Sequence, residues 1–277
     1  MLVPILPMLL TDCVEHQSAG DNAPRLVAHT AVVPSVKSPD QSQATLGSQT
    51  AFKPNHSLEQ IYQQLQYSTV ALNITVIEQN GKEAIYTSSG ILVAPDQVVS
   101  TYHGFQGGQL KHTEVRWDSR LNCPPQLATI VATDVRHDLV LLRLSHAVTL
   151  TPLVMSKIEP LPGEPIAVLG FPEVTQVEDE KTKYLHIVHG FVASFQPTGP
   201  DGLPQLILDA RVLKGNSGGP VISMNTLRLL GIISEVVLDT AEEEQRLPSG
   251  ATQKQSIEGE SLGIAIAVST LQKLLKD

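Results

Sequence analysis

The stretch "LKGNSGGPV", residues 213–221, sets one serine among three glycines. Glycine permits backbone conformations and close approaches that other residues forbid. Such a setting fits a plain turn. It also fits a hydroxyl nucleophile, Ser217, whose neighbouring amides must turn toward a reacting group. The surrounding sequence decides between the two.

An activated serine needs a base, and the base needs a carboxylate to orient it. "VVSTYHGF" places His103 just after an apolar run, and "ATDVRHDLVLLRL" places Asp138 just before another. The chain order is therefore His103, Asp138, Ser217. Asp134 lies close to Asp138 and competes for the role of acid, and His137 reads as a turn residue. His186 and His189 are three apart on one strand and face opposite sides, a poor metal pair. The sequence offers no metal site and requires no cofactor.

The framework around these residues is β-rich. "EAIYTSSGILVA", "QVVSTYH", "HTEVRW", "QLATIVATDV" and "DLVLLRLS" follow an opening run, "YSTVALNITVIE". After the proline-bearing "SKIEPLPGEP" comes a second series: "PIAVLGF", "YLHIVHGFVASF", "QLILDARVL", "PVISM", "LRLLGIISEVV" and "LGIAIAV". Many short strands with few helices indicate an all-β protein. Two series of six predict two six-stranded antiparallel β-barrels, about 68–150 and 160–277. Short helices flank them. Ser57 and Gln60 form a capping box ahead of Leu58, Ile61, Tyr62 and Leu65, which share one helical face. "VSTLQKLLKD" has helical spacing at the other end. The polar stretch 238–260, "LDTAEEEQRLPSGATQKQSIEGE", reads as a long loop.

These segments resemble the chymotrypsin-fold, trypsin-like serine proteases, and most of all the bacterial HtrA/Deg-type peptidases. "SSGILVAPDQVVSTYHGF", "TDVRHDLVLLRL", "AVLGFP", "HGFVASF", "DARVLKGNSGGPV", "LLGIISEV" and "LGIAIAVSTLQKLL" carry the likeness, in family order, over about residues 60–277. The resemblance implies a serine endopeptidase acting on polypeptide substrates. It assigns Ser217 as nucleophile, His103 as general base and Asp138 as the acid that orients it. The Gly215 and Ser217 amides become the oxyanion hole. Ser234 takes the place of a hydroxyl supporting Asp138, and Glu235 and Val236 border the substrate cleft.

Departures from the family pattern matter. Tyr102 and Gly104 flank His103 where a small residue or Asn, then Val or Cys, is usual. Lys214 replaces a frequent proline. Asn216 stands where cleavage-activated relatives carry an Asp that pairs with a new amino terminus, so that mode of activation is not expected. Val236 favours small aliphatic P1 residues, whereas Arg211, at the pocket-base position, favours acidic ones; the aliphatic reading is preferred. No PDZ domain follows the final helix, so peptide sensing by such a domain is not carried over.

Composition narrows the alternatives. The 277 residues are 42% hydrophobic with a net charge of −9 and no basic run. Nucleic acid is therefore not an expected partner. No apolar run reaches the length of a membrane span. Two cysteines, Cys13 and Cys123, make no disulfide framework. A Cys123 hydrolase lacks a matching His/Asn context and has proline next to the thiol. A non-catalytic, protease-like binding module is the competing class. "MLVPILPMLLTDC" is a partial match to an export signal, lacking a basic start. An extracytoplasmic location is favoured. Residues 14–55 are rich in Ser, Gln, Pro, Ala and Thr without periodicity, the composition of a linker. Deleting residues 1–55 is expected to leave a single cooperative melting transition by circular dichroism; its loss would show that the leader belongs to the fold.

Overall fold

A computed structural model describes residues 54–173, 181–199, 202–246 and 252–275, with the backbone alone over the strands between 235 and 261. The leader and residues 174–180 and 247–251 lie outside the described residues. Helix α1 (Leu58–Leu65) opens the fold. Its capping box is formed: Ser57 Oγ accepts from Gln60 N, and Gln60 Oε1 accepts from Ser57 N. Ile61 and Leu65 are its buried face.

Six strands follow: β1 (Thr69–Ile77), β2 (Glu83–Ala94), β3 (Gln97–Thr101), β4 (Gln109–Arg116), β5 (Gln126–Asp134) and β6 (Leu139–Leu144). They close in the order β1-β2-β3-β6-β5-β4. The second set is β7 (Pro165–Gly170), β8 (His186–Gln196), β9 (Gln205–Ala210), β10 (Pro220–Ser223), β11 (Leu229–Arg246) and β12 (Thr252–Ala267). It closes as β10-β11-β12-β9-β8-β7. Every named pairing is antiparallel. Helix α2 (Val268–Leu274) ends the described chain.

Alternation of side chains across each strand explains the three cores. On β1, Val70, Leu72, Ile74 and Val76 point into the first barrel, where Leu92, Val98, Val115, Trp117, Val140 and Leu142 meet them. Ala71 points the other way, into a layer between the barrels. β6 divides likewise: Val140, Leu142 and Leu144 go inward, Leu139 and Leu141 go to the layer, and Arg143 is exposed. β7 sends Ile166 and Val168 into the second barrel, and Ala167 and Leu169 into the same layer. Ile61, Leu65, Val268 and Leu271 from the two helices seal that layer. This is why β1, β6 and β7 read as nearly continuous apolar runs. Both faces of each are buried.

The polar segment 238–260 is not a loop. The backbone of β11 and β12 runs on past the barrel as a two-stranded ribbon, paired from Thr240↔Glu258 to Arg246↔Thr252. The sequence of the ribbon is largely polar, so the hydrophobic alternation that reveals a strand is missing.

A polar clamp joins barrel one to α1 and to the approach to β8. Asp118 is fully buried, and Arg120 grips it with two bonds, Nε to Oδ1 at 2.8 Å and Nη2 to Oδ2 at 2.5 Å. Tyr62 Oη and Leu185 N also donate to Oδ2, at 3.2 and 2.9 Å. The Arg120 guanidinium lies over the Tyr62 and Tyr184 rings. Burial pushes the Asp118 carboxyl up, but the Arg120 and backbone hydrogen bonds outweigh it and hold it below the usual range. A depressed folded-state pKa stabilises above the unfolded value and loses that contribution as pH falls through the folded one. Asp118→Asn is expected to cost about 2 kcal/mol, or roughly 4–8 °C in Tm. The Tm gap to wild type should be full at neutral pH and close below about pH 4. Thermal melts across pH 2–8 check both.

Candidate active site

His103, Asp138 and Ser217 come from three loops that meet at the seam between the barrels. His103 begins a single 3-10 turn (His103–Phe105) directly after β3. The turn is anchored by buried Phe105 and closed by Phe105 N donating to Tyr102 O and Gln106 N to His103 O. Tyr102 finds its room against the core of barrel one. At Gly104 a Cβ would approach Ile74 Cδ1 to 3.2 Å, so the missing side chain lets the turn sit close to the barrel.

Asp138 precedes β6 with φ of 54°, a left-handed conformation that aspartate tolerates better than most residues. Its carboxylate takes His103 twice: Oδ1 accepts the backbone N–H and Oδ2 faces ring Nδ1, both at 2.7 Å. Ser234 Oγ donates to Oδ2 at 2.8 Å. Burial pushes the Asp138 carboxyl up, but the His103 hydrogen bond and charge, with Ser234, bring it below the ordinary range. The carboxylate is thus ionised at neutral pH. Ser217 Oγ donates to Ser234 O at 3.3 Å. One residue, Ser234, therefore touches both the acid and the serine.

A second couple sits nearby. His137 Nδ1 lies 2.5 Å from Asp134 Oδ2, and His137 N donates to Asp134 Oδ1 at 3.2 Å. It copies the His103–Asp138 arrangement within the β5–β6 turn, three residues apart in sequence. The competition between Asp134 and Asp138 for His103 resolves in favour of Asp138.

The loop around Ser217 is built from peptide planes. Lys214 O accepts Glu173 N at 2.9 Å, and Asn216 O accepts Gly219 N at 2.8 Å. A trans peptide points its N–H opposite its C=O. Fixing those two carbonyls therefore aims the Gly215 and Ser217 N–H groups, and neither donates a hydrogen bond among the described residues. Gly215 needs its hydrogen: φ is 95°, and a Cβ would come within 2.7 Å of Phe171 O. Asn216 is buried without a charge, so the loop needs no buried counter-ion. The Lys214 side chain is exposed and pairs with Glu173 at 3.0 Å.

Sequence reasoning missed what holds this loop from below. Ser88, Ser89 and Ser100 are all buried in barrel one; the first two reach across the seam, and Ser100 supports Ser89. Ser217 O accepts from Ser89 N at 2.8 Å and from Ser88 Oγ at 2.7 Å, and Ser89 Oγ donates to Gly215 O at 2.7 Å. Ser100 Oγ donates to Ser89 O at 2.6 Å. The available signal was two adjacent serines in a strand whose neighbours are apolar.

Other expected residues are placed as follows. Arg211 is exposed, while its neighbour Val212 is buried against Gly263. Glu235 and Val236 pair with Ile264 and Gly263 on β12, and their side chains lie outside the described residues. Cys123 is far from this seam, on the core of barrel one, and burial pushes its thiol up, away from a reactive thiolate.

With this geometry in place, comparison with known proteins is informative. Residues 88–232, more than half of the chain, match the trypsin-like peptidase domain. The chain belongs to that family. No curated protein matches it in sequence. Among solved structures it is similar to the active form of the Rv3671c protease from M. tuberculosis, with a TM-score of 0.61 and 18% identity over 81% of this chain and 87% of that one. The inactive form of the same protease gives a TM-score of 0.57 at 18% identity, over 81% and 96%. At this identity the structural likeness concerns the fold alone.

Two left-handed glycines separate strain from crowding. At Gly218, φ is 83° and a Cβ would lie 2.1 Å from Ser89 O and 2.3 Å from Ser100 Oγ; at Gly81, φ is 77° and nothing lies within 4 Å. Gly81→Ala is expected to cost about 1–2 kcal/mol, the backbone conformation alone. Gly218→Ala is expected to cost about 3 kcal/mol or more. Paired urea titrations measure the difference.

Proposed function

We propose that this trypsin-like domain is a serine endopeptidase that cleaves peptide bonds through an acyl-enzyme on Ser217. The observation that carries the reading is the convergence on Asp138. Its carboxylate binds His103 at both backbone and ring, and Ser234 links it to Ser217.

The chemistry follows from where the protons sit. With Nδ1 facing an ionised Asp138, a neutral His103 carries its hydrogen on Nδ1 and presents Nε2 as the base. The Ser217 hydroxyl turns its hydrogen from Ser234 O to Nε2 and attacks the scissile carbonyl. The imidazolium, stabilised by Asp138, returns the proton to the departing amine. Water then repeats the sequence on the ester and frees Ser217. The oxyanion of each tetrahedral intermediate meets the Gly215 and Ser217 N–H groups, each worth about 3–4 kcal/mol in the transition state. The exposed position of Arg211 supports a pocket without a buried cation, and hence small aliphatic P1 residues.

Purified full-length chain is expected to label with a fluorophosphonate and to cleave a peptide library, with Val, Ala or Ile at P1. Ser217→Ala should lose the label and about 10⁵–10⁶ in kcat. The rate should rise with pH as His103 loses its proton, then plateau. A wild type that neither labels nor cleaves would favour the peptide-binding module. An acidic P1 preference abolished by Arg211→Ala would reverse the specificity reading alone.

A further inference from the structure

The two loops that shape the oxyanion site share one anchor in the other barrel. Ser89 has a single hydroxyl hydrogen and two lone pairs. Its hydroxyl donates to Gly215 O at 2.7 Å and accepts from Phe171 N at 2.9 Å. Gly215 follows the peptide whose N–H faces the oxyanion site. Phe171 directly follows β7, and two residues further on Glu173 N reaches Lys214 O, the carbonyl of that same peptide. The two contacts thus bracket the 214–215 peptide, one on each side. Ser89 is itself wholly buried and cannot drift: its N–H holds Ser217 O, and its C=O receives Ser100 Oγ.

We propose that Ser89 is a positioning residue for the oxyanion site, its hydroxyl fixing the direction of the Gly215 N–H from the opposite barrel. The inference rests on the protease reading above and adds to it a residue remote from the reacting atoms. The reason one hydroxyl suffices lies in Gly215. A glycine at φ of 95° has no Cβ to oppose rotation, so hydrogen bonds alone hold its flanking peptides. Without the Ser89 hydroxyl, Gly215 O and Phe171 N both lose a buried partner. The peptides between them can then turn to recover hydrogen bonds elsewhere. Among the described residues the Ser89 hydroxyl bonds Gly215 O and Phe171 N, on the oxyanion side, so the proton-transfer half of the site is expected to stay as it is.

The test compares wild type, Ser89→Ala and Ser89→Cys, each normalised to active sites by burst titration, with Ser217→Ala at equal protein concentration as the blank. Removing an oxyanion donor outright costs about 10²–10³ in kcat, so misaiming one should cost less. Ser89→Ala is expected to lower kcat by roughly 10–100-fold. KM should stay within about twofold, and the pH midpoint should not move, since the group that titrates is untouched. A peptide aldehyde adds the Ser217 hydroxyl across its carbonyl to give a tetrahedral hemiacetal. Its affinity should fall in proportion to kcat, because it samples the same donors. A kcat per active site within about twofold of wild type overturns the proposal, as does a loss confined to the titratable fraction, which marks a folding role only. Should Ser89→Ala not fold, Ser89→Cys decides. Its longer, weaker donor should lower kcat several-fold, and a wild-type kcat overturns the proposal. Wild type no faster than Ser217→Ala would instead remove the protease reading and this inference with it.

Discussion

A closed barrel has no free edge, so the two halves of this protein cannot join by extending a sheet. They meet through one apolar layer and a few hydrogen bonds, and the groups around Ser217 stand on that seam. Barrel one supplies His103 and Asp138, and barrel two supplies Ser217 and Ser234. Neither half holds the set alone. The apolar layer fixes the distance between barrels with the rigidity of close packing. The cross-seam bonds from Ser88 and Ser89 then set angles that packing cannot set. Burial makes those bonds matter. In a water-filled cleft a solvent molecule would replace a lost partner, whereas here a carbonyl would be left with none.

The fold was legible because its strands obey simple periodicities. All twelve could be read from short β-rich runs, and the proline-bearing segment marked the division between barrels. The capping box at Ser57 and Gln60 forms as its spacing implies. The His103 and Asp138 segments come together because each lies beside the end of a strand whose place in the barrel is set by its apolar face, and Ser234 joins them from the register shift within β11. What escaped notice shares a different character. The ribbon beyond residue 238 is largely polar in sequence and so leaves no hydrophobic signature. The Ser88, Ser89 and Ser100 bonds join residues more than a hundred positions from the loop they support, or one barrel strand to the next. A buried serine looks in sequence like any small polar residue. The second couple, Asp134 with His137, shows the converse. A carboxylate and an imidazole three residues apart pair readily in any turn, so proximity in sequence says little about role.

The backbone of Asp138 has a consequence for which side chains can ever occupy that place. The position is selected twice, once for a carboxylate and once for tolerance of a left-handed turn. Glutamate meets the first demand and has no special fitness for the second, and glycine meets only the second. Asparagine alone matches the turn tolerance while keeping the size, which makes it the clean neutral substitute. Alanine changes charge, hydrogen bonding and backbone preference together, so its effect cannot be assigned to the missing charge. The route by which such a chain could lose its acid and survive as a folded protein therefore runs through one narrow chemical door, the exchange of a carboxylate for an amide.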